Sequence, residues 1–393
     1  MRISTSMIYD INVATMNQQQ ASLLQTQQQL ATGVRLINPS IDPAAAAQAL
    51  AVTQANATNT QYTANSSTAQ GTLSIMGTTL QNVTSSLQSI RSQMISAGTN
   101  LTTSQRQSLA TSLNAQLQQL VSLANSTDGT GNYLFSGFQA KTQPFSNTAA
   151  GYAYFGDSGQ TKTQVSSTLQ VGTTLSGADI FMRVKNGNGT FVTQAAATNT
   201  GTGVASQGSV VNPALLTGNN YSVAFSVIAG STTYSVTNTS TGTVLSTGNA
   251  YVSGQAISFD GMQFNIQGAP ANGDQFTVAP SSNVSIFKTI SDFVTALNTP
   301  TATLNIANAV NNLDAGISSV SNAAAIVGTN LNLITAAQAT GSSLGLNYQQ
   351  TLSQLQDTNF AQAATTLAQQ QLALQAAQKS FVQVSGLSLF TYM

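Results

Sequence analysis

The sequence contains no cysteine, no histidine, no tryptophan and, among its acidic residues, no glutamate. Without thiol or imidazole groups, the chain itself cannot supply a cysteine nucleophile, a histidine base, a structural zinc site or haem ligation. Without glutamate, its helices lack Glu–Lys pairs and glutamate capping boxes. We therefore predict a protein that is not an enzyme, binds no cofactor or metal, and stabilises its helices by packing.

Charge is almost as scarce. Only 5% of the 393 residues are charged, with ten basic and ten acidic side chains, whereas an ordinary soluble domain has about 25%. The basic residues are scattered singly, which argues against nucleic-acid binding. The N-terminal segment lacks an apolar core of signal-peptide length, and no run of about 18 apolar residues occurs. We expect neither membrane insertion nor export through the Sec pathway.

Apolar residues at alternating spacings of three and four predict long helices in both halves of the chain. The first such seam runs from Val13 to Val34. Asp42 and Pro43 then match the N-cap and first position of a second helix. The predicted seams of the later helices lie at 73–94, 109–120, 306–334 and 360–384. The last of these helices is predicted to follow a loop, "ATGSSLGLN", at 339–347.

The segment from about 133 to 285 has a different pattern. Glycine and threonine become frequent, and apolar residues alternate, as from Tyr221 to Val227. In "ISFDGMQFNI", Asp260 and Gly261 can supply the two positive φ angles of a tight hairpin turn. This segment is predicted to be a β domain.

The predicted fold class is α+β: a discontinuous bundle of long, coiled-coil helices built from both chain ends, with an inserted all-β outer domain. We expect a terminal coiled-coil domain from residues 1–40 and 347–393 that is disordered in the monomer. A helical bundle domain is expected from residues 41–145 and 286–346. The outer β domain is expected at 146–285.

Three serine motifs resemble catalytic sites. "GDSG" at 156–159 and "GSSLG" at 341–345 match the surroundings of serine nucleophiles, but both mechanisms need an imidazole base, which the chain lacks. The pair Ser285 and Lys288, one helical turn apart, needs no histidine. A Ser–Lys hydrolase therefore remains an alternative, which labelling of Ser285 by an acylating probe would test.

The C-terminal seam repeats every seven residues, yet the stretch "LAQQQLALQAAQKSF" has Lys379 as its one charge. Burying the four large side chains of this repeat contributes about 6 to 12 kcal/mol. Ordering some 25 residues of backbone costs about 25 to 50 kcal/mol, so the helix alone is marginal even with its hydrogen bonds. We infer that its glutamine and alanine face is also buried, against neighbouring copies of the chain. The predicted assembly residues are Val13, Met16, Leu23, Leu30, Phe360, Leu367, Leu374, Phe381, Val384, Leu387, Leu389 and Phe390.

Both ends of the chain resemble one known family. The N-terminal "MRISTSMIYDIN" and "LATGVRLINPSIDPAAAAQAL", and the C-terminal "LAQQQLALQAAQKSFVQVSGLSLFTYM", are similar to the two ends of flagellins and hook-associated proteins. "GNYLFSGFQAKTQPF", "SGADIF" and "NGDQFTVAPSSNVSIFKTI" resemble the branch that forms the distal hook–filament junction rather than flagellin.

That resemblance implies a secreted structural subunit of the bacterial flagellum, exported by the flagellar type III route. It also implies an inner tube of paired terminal helices and a β domain that projects outward. The implied partners are other copies of the chain, hook-associated protein 1, flagellin and a flagellar export chaperone. Two alternatives stay open: a flagellin filament subunit, which shares the terminal helices, and, from another class, a β-rich surface adhesin that would need only the middle domain.

Overall fold

The computed structural model describes residues 5–98, 101–149, 151–299 and 306–386. The chain separates into two compact units. The terminal unit combines residues 1–65 with 336–393, and the middle unit is residues 66–335. These limits differ from the predicted domain boundaries, which remain a prediction.

Six α-helices contain most of the described helical residues. They are α1 (Thr5–Thr32), α2 (Pro43–Ser96), α3 (Thr103–Ala124), α4 (Ile286–Asn298), α5 (Ile306–Gln356) and α6 (Phe360–Gly386). The helix predicted from Val13 thus begins eight residues earlier, at Thr5. Within the described segments, no helix combines the length and apolar character needed to cross a membrane.

The predicted start of α2 is confirmed. Pro43 is its first residue, and the Asp42 carboxylate accepts a hydrogen bond from the Ala45 amide at 3.0 Å. Helix α3 uses a glutamine in place of the missing glutamate. The Thr102 hydroxyl accepts from the Gln105 amide, and the Gln105 side chain accepts from the Thr102 amide. At the start of α3, backbone amides are therefore satisfied without an added charge.

The prediction of a loop at 339–347 is wrong. Helix α5 continues through this stretch to Gln356, and a three-residue connector, 357–359, then leads to α6. Two glycines that look like helix breakers, Gly341 and Gly345, instead lie against α2. There the Asn59 side-chain amide donates to the Gly341 carbonyl oxygen at 2.8 Å. At Gly341 an added Cβ would lie 3.2 Å from the Thr63 hydroxyl oxygen, so glycine eases the close approach of α2, which a single-sequence pattern does not reveal.

The helical core of the middle unit follows the predicted seams. Every seam residue of α2 is buried: Leu73, Met76, Leu80, Val83, Leu87, Ile90 and Met94. The facing seam of α5 buries Leu313, Gly316, Val320, Ala323, Val327 and Ile334. The two helices contact each other, since Arg91 forms a bidentate ion pair with Asp314 and Gly77 lies against Val327. The seams predicted within 73–94 and 306–334 therefore lie on helices that contact each other.

The middle segment contains fifteen short strands among the described residues. They are β1 (Phe145–Thr148), β2 (Gly151–Tyr154), β3 (Lys162–Gln164), β4 (Gln170–Gly172), β5 (Val184–Lys185), β6 (Phe191–Ala195), β7 (Val204–Ala205), β8 (Ser209–Val210), β9 (Tyr221–Ile228), β10 (Ser231–Asn238), β11 (Thr243–Ala250), β12 (Ala256–Phe259), β13 (Met262–Gln267), β14 (Gln275–Pro280) and β15 (Asn283–Val284).

All strand pairings are antiparallel. One sheet has the order β11-β10-β9-β14-β6, and a second has the order β12-β13-β7, with β8 also paired to β13. The β12–β13 hairpin pairs Phe259 with Met262, and both turn residues have positive φ, 43° at Asp260 and 77° at Gly261. The predicted hairpin is confirmed.

The two larger sheets share one apolar core. Its buried members are Phe191, Tyr221, Val223, Phe225, Val236, Ile257, Met262, Phe264, Ile266, Phe276 and Val278. A separate aromatic cluster lies at the start of α4, where the Phe287 ring stacks on Phe181 and meets the edge of Phe145. The predicted α+β class, with terminal helices and a central all-β domain, is confirmed.

Candidate assembly interface

The terminal helices α1 and α6 pack against each other as an antiparallel pair. Near one end, the Tyr9 and Phe381 rings have centroids 4.9 Å apart. At the other end, Phe360 lies against Gly33, just after α1. Helices from opposite ends of the sequence therefore meet along their length within one chain.

Seven predicted assembly residues lie half-buried in this pair: Val13, Met16, Leu23, Leu30, Leu367, Leu374 and Phe381. Phe360 is 57% exposed. The side chain of Val384 is not described, and Leu387, Leu389 and Phe390 lie outside the described residues. The role of these residues in assembly remains a prediction.

The terminal unit buries no large side chain among its described residues. Its fully buried side chains are Thr26, Ala45, Ala49 and Ala363. In the middle unit, by contrast, phenylalanine, leucine, isoleucine and methionine side chains reach 0% exposure. Burial of small side chains removes little apolar area from water, so the terminal unit gains little of the main stabilising term of folding.

Large apolar side chains are instead exposed on the terminal helices. Those of α1 and α6 outside the predicted seam are Met7, Tyr9, Ile11, Leu24, Leu372 and Val382, each between 52% and 69% exposed. The seam pattern missed Tyr9 because the predicted seam begins four residues later, at Val13, and it missed the others because they lie on other faces of the helices. The available signal was the lack of charge, since Asp10 and Lys379 are the charged residues of these two helices.

Two glutamines place unpaired polar atoms inside the α1–α6 pair. The side-chain oxygens Oε1 of Gln19 in α1 and Gln370 in α6 are buried, and neither has a hydrogen-bond partner within the described residues. A buried acceptor left unpaired costs about 1 to 3 kcal/mol. Within the described residues, the pair formed by one chain therefore leaves large apolar side chains exposed and two buried amide oxygens without a hydrogen-bond partner.

The serine motifs do not assemble catalytic groups. Ser285 is the N-cap of α4, and its hydroxyl accepts from the Lys288 amide. The Lys288 amine instead lies 2.7 Å from an Asp292 carboxylate oxygen in an exposed ion pair. The hydroxyl of Ser158 accepts from Arg183, and that of Ser343 donates to the Ala339 carbonyl inside α5.

Shifted pKa values belong to structural positions. Burial raises the pKa of the Asp128 carboxyl, but hydrogen bonds from Asn132 and Thr130 outweigh it and lower the pKa to about 2. Burial raises the pKa of the Tyr221 hydroxyl, and its hydrogen bond to Asp260 acts in the same direction. Within the described residues, no three carboxylates lie close enough to hold a metal ion together.

Comparison with protein families gives two matches. Residues 3–140 match the model of the bacterial flagellin N-terminal helical region. Residues 194–280 match the model of the D2-like domain of flagellar hook-associated protein 1. The helical N-terminal part and the β domain thus match separately, and both models describe flagellar proteins.

Individual relatives agree with these matches. The chain is 40% identical over 184 residues to flagellar hook-associated protein 3 of Salmonella typhimurium, an alignment covering 46% of this chain and 57% of that protein. The chain thus spans a little over half the length of this curated relative.

Solved structures match more completely. The flagellar junction protein FlgL of Legionella pneumophila superposes with a TM-score of 0.67 at 30% identity, over 79% of this chain and 100% of that chain. FlgL of Xanthomonas campestris in its C2 crystal form gives a TM-score of 0.63 at 33% identity, over 77% of this chain and 99% of that chain.

Proposed function

Because this chain belongs to the flagellar hook-associated protein 3 (FlgL) family, we propose that it is a structural subunit of the bacterial flagellum. In this proposal, copies of the chain form the distal junction between hook and filament and provide the surface on which flagellin begins to assemble. The protein is extracellular and carries out no chemical turnover.

One observation carries the proposal: the terminal unit exposes large apolar side chains while burying only small ones. Leu372 and Val382 on α6 are 69% and 67% exposed, and Leu24 on α1 is 59% exposed. A soluble monomer with charged helix faces would not need such a surface. Neighbouring copies that enclose the α1–α6 pair would remove these side chains from water.

The sparse charge supports the same mode of assembly. An unpaired charge buried between subunits costs several kcal/mol, whereas glutamine amides can hydrogen-bond and alanine permits close approach of helices. We propose that residues 1–40 and 347–393 become ordered only when copies assemble. The predicted seam residues, from Val13 to Phe390, would then line the wall of an inner tube while the β domain faces outward.

The family resemblance extends the proposal to its partners. The subunit would pass through the flagellar type III export channel with the help of an export chaperone. It would assemble on hook-associated protein 1 and contact flagellin on its other side. Family membership supports these partners. Each partner can be tested in a strain that lacks it.

Deletion of the gene tests the proposed function. Cells without this protein should retain hooks but lose attached filaments and release flagellin into the medium. A flagellin would give a different result, because its purified chains should polymerise alone into long filaments. Normal filaments on the deletion strain would refute the junction role.

Removing the terminal helices separates the proposal from a surface adhesin. A variant lacking residues 1–40 and 347–393 should fail to restore filaments, since the assembly surface is gone. An adhesin that works through the β domain would keep its activity in that variant.

A further inference from the structure

Two connectors in the terminal unit are joined to each other. The first connector, residues 33–42, links α1 to α2, and the second, residues 357–359, links α5 to α6. Val34 and Asp357 form an isolated antiparallel bridge between them. Both routes into the terminal helix pair are therefore held together at one point, which we call the connector bridge.

Main-chain hydrogen bonds flank the connector bridge on both sides. The Arg35 amide donates to the Gln356 carbonyl oxygen at 2.6 Å, and the Thr358 amide donates to the Gly33 carbonyl oxygen at 2.8 Å. These bonds fix the end of α1 relative to the end of α5. A charged group strengthens the same joint and extends it to the start of α2.

The Arg35 side chain supplies that group. Its guanidinium donates to the Leu355 carbonyl oxygen at 2.8 Å, in the last turn of α5, where carbonyls lack helical partners. The same group lies 3.5 Å from the Asp42 carboxylate, which caps the start of α2. The main-chain carbonyl oxygen of Arg35 accepts a hydrogen bond from the Gln29 side chain of α1 at 2.9 Å. One residue thus contacts three helix ends.

The distribution of charge singles out this point. The stretches 1–65 and 336–393 contain six charged residues, and three of them, Arg35, Asp42 and Asp357, lie in the connectors. Arg35 and Asp42 are 40% and 38% exposed, so their ion pair contributes little to stability because solvent screens it. The planar guanidinium can still bind two acceptors at fixed angles, which a lysine amine does not reproduce.

We propose that Arg35 is a positioning residue that sets the direction in which the α1–α6 pair leaves α2 and α5. The inference rests on the proposed junction function, because direction matters when copies must align in one assembly. Identical direction in every copy lets the terminal pairs pack side by side and carry mechanical stress between hook and filament. Without the guanidinium, the pairs still associate, but with variable direction and a weaker joint.

The test uses the full-length chain in cells whose own gene is deleted. We compare Arg35→Lys, which keeps the charge but loses the planar fork, with Arg35→Ala and wild type. Filaments are stained and counted before and after a fixed shear. The Arg35→Lys and Arg35→Ala strains should both lose filaments several-fold more readily than wild type. Arg183→Lys, at a half-exposed ion pair with Asp179 in the middle unit, is the matched control and should retain them.

A disulfide across the connector bridge provides a rescue. Facing residues of an antiparallel bridge have the separation that a disulfide requires, and the chain has no cysteine of its own. Val34→Cys with Asp357→Cys is added to Arg35→Ala. Oxidation should restore retention and a reductant should remove it again, while gel mobility reports the cross-link. This rescue also decides the case if Arg35→Ala gives no filaments at all.

The outcomes distinguish the role of Arg35 from the proposed junction function. Wild-type retention by Arg35→Lys, or a formed cross-link that does not restore retention, overturns the role of Arg35 and leaves the junction assignment standing. Normal filaments in the deletion strain overturn the junction assignment itself. Sensitivity of both Arg35 variants, with rescue by oxidation, supports the inference.

Discussion

Replacement of Leu372 by aspartate tests whether other copies enclose the terminal helices. Leu372 lies on α6 and is 69% exposed in the single chain. An aspartate there should leave the fold of the monomer unchanged, because the side chain contacts little within its own chain. In an assembly that buries this face, the same change should be severe.

The magnitude follows from the exposed fraction. Full burial of a leucine contributes about 1.5 to 3 kcal/mol, so covering the exposed two thirds of Leu372 contributes roughly 1 to 2 kcal/mol per copy. Leaving an unpaired carboxylate between subunits costs several kcal/mol more. Since each 1.4 kcal/mol is about a tenfold change, association should weaken by at least about a hundredfold.

The assay measures two properties of the same variant. Thermal unfolding of the purified chain reports the monomer, and counts of attached filaments in the complemented deletion strain report assembly. Ile228→Asp is the matched control, since Ile228 is 72% exposed at the end of β9 in the β domain. Normal filaments with Leu372→Asp, or an equal loss with Ile228→Asp, would refute the enclosure of α6.

Three further predictions concern the middle unit. Leu87→Ala should lower the free energy of unfolding by about 2 to 5 kcal/mol, because Leu87 is 0% exposed in the α2 seam, whereas the exposed Ser85→Ala should change it little. The pKa of Asp128 is lowered from 3.8 to about 2, so its carboxylate stabilises the fold above pH 4 and loses this effect as the pH falls toward 2. Asp128→Asn should therefore cost about 1 kcal/mol near neutrality, after allowance for solvent screening, and progressively less in acid urea titrations. Gly268→Ala should destabilise the β domain more than Gly254→Ala in urea titrations: both have positive φ, but only at Gly268 would the added carbon collide with a main-chain oxygen.

Sequence periodicity predicted the helical core well where partner helices have strong seams of their own. All seven seam residues from Leu73 to Met94 are buried, because helical spacing aligns them on one face and α5 supplies a matching face. The Asp42–Pro43 start of α2 was equally predictable, since an N-cap is a local interaction. Predictions from local sequence succeed where tertiary contacts favour the same local structure.

The errors arose where tertiary contacts overrode a local pattern. Gly341 and Gly345 looked like loop residues, but both lie against α2 within a continuous α5, and α2 comes closest at Gly341. The pairing of β14 between β9 and β6 joins strands far apart in sequence, and no local signal specifies such neighbours. The connector bridge was missed for the same reason, since Arg35 and Leu355 are 320 residues apart.

The same heptad pattern leads to different degrees of burial in the two units. In the middle unit, seam residues of α2 and α5 reach full burial, as Met76 and Leu313 do. In the terminal unit, the buried position of α6 is Ala363, while leucines beside it remain half-buried. The unpaired amide oxygens of Gln19 and Gln370 cost about as much as a leucine burial contributes. We therefore propose that the α1–α6 pair of one chain is near balance, so that the area covered by neighbouring copies determines whether it is ordered.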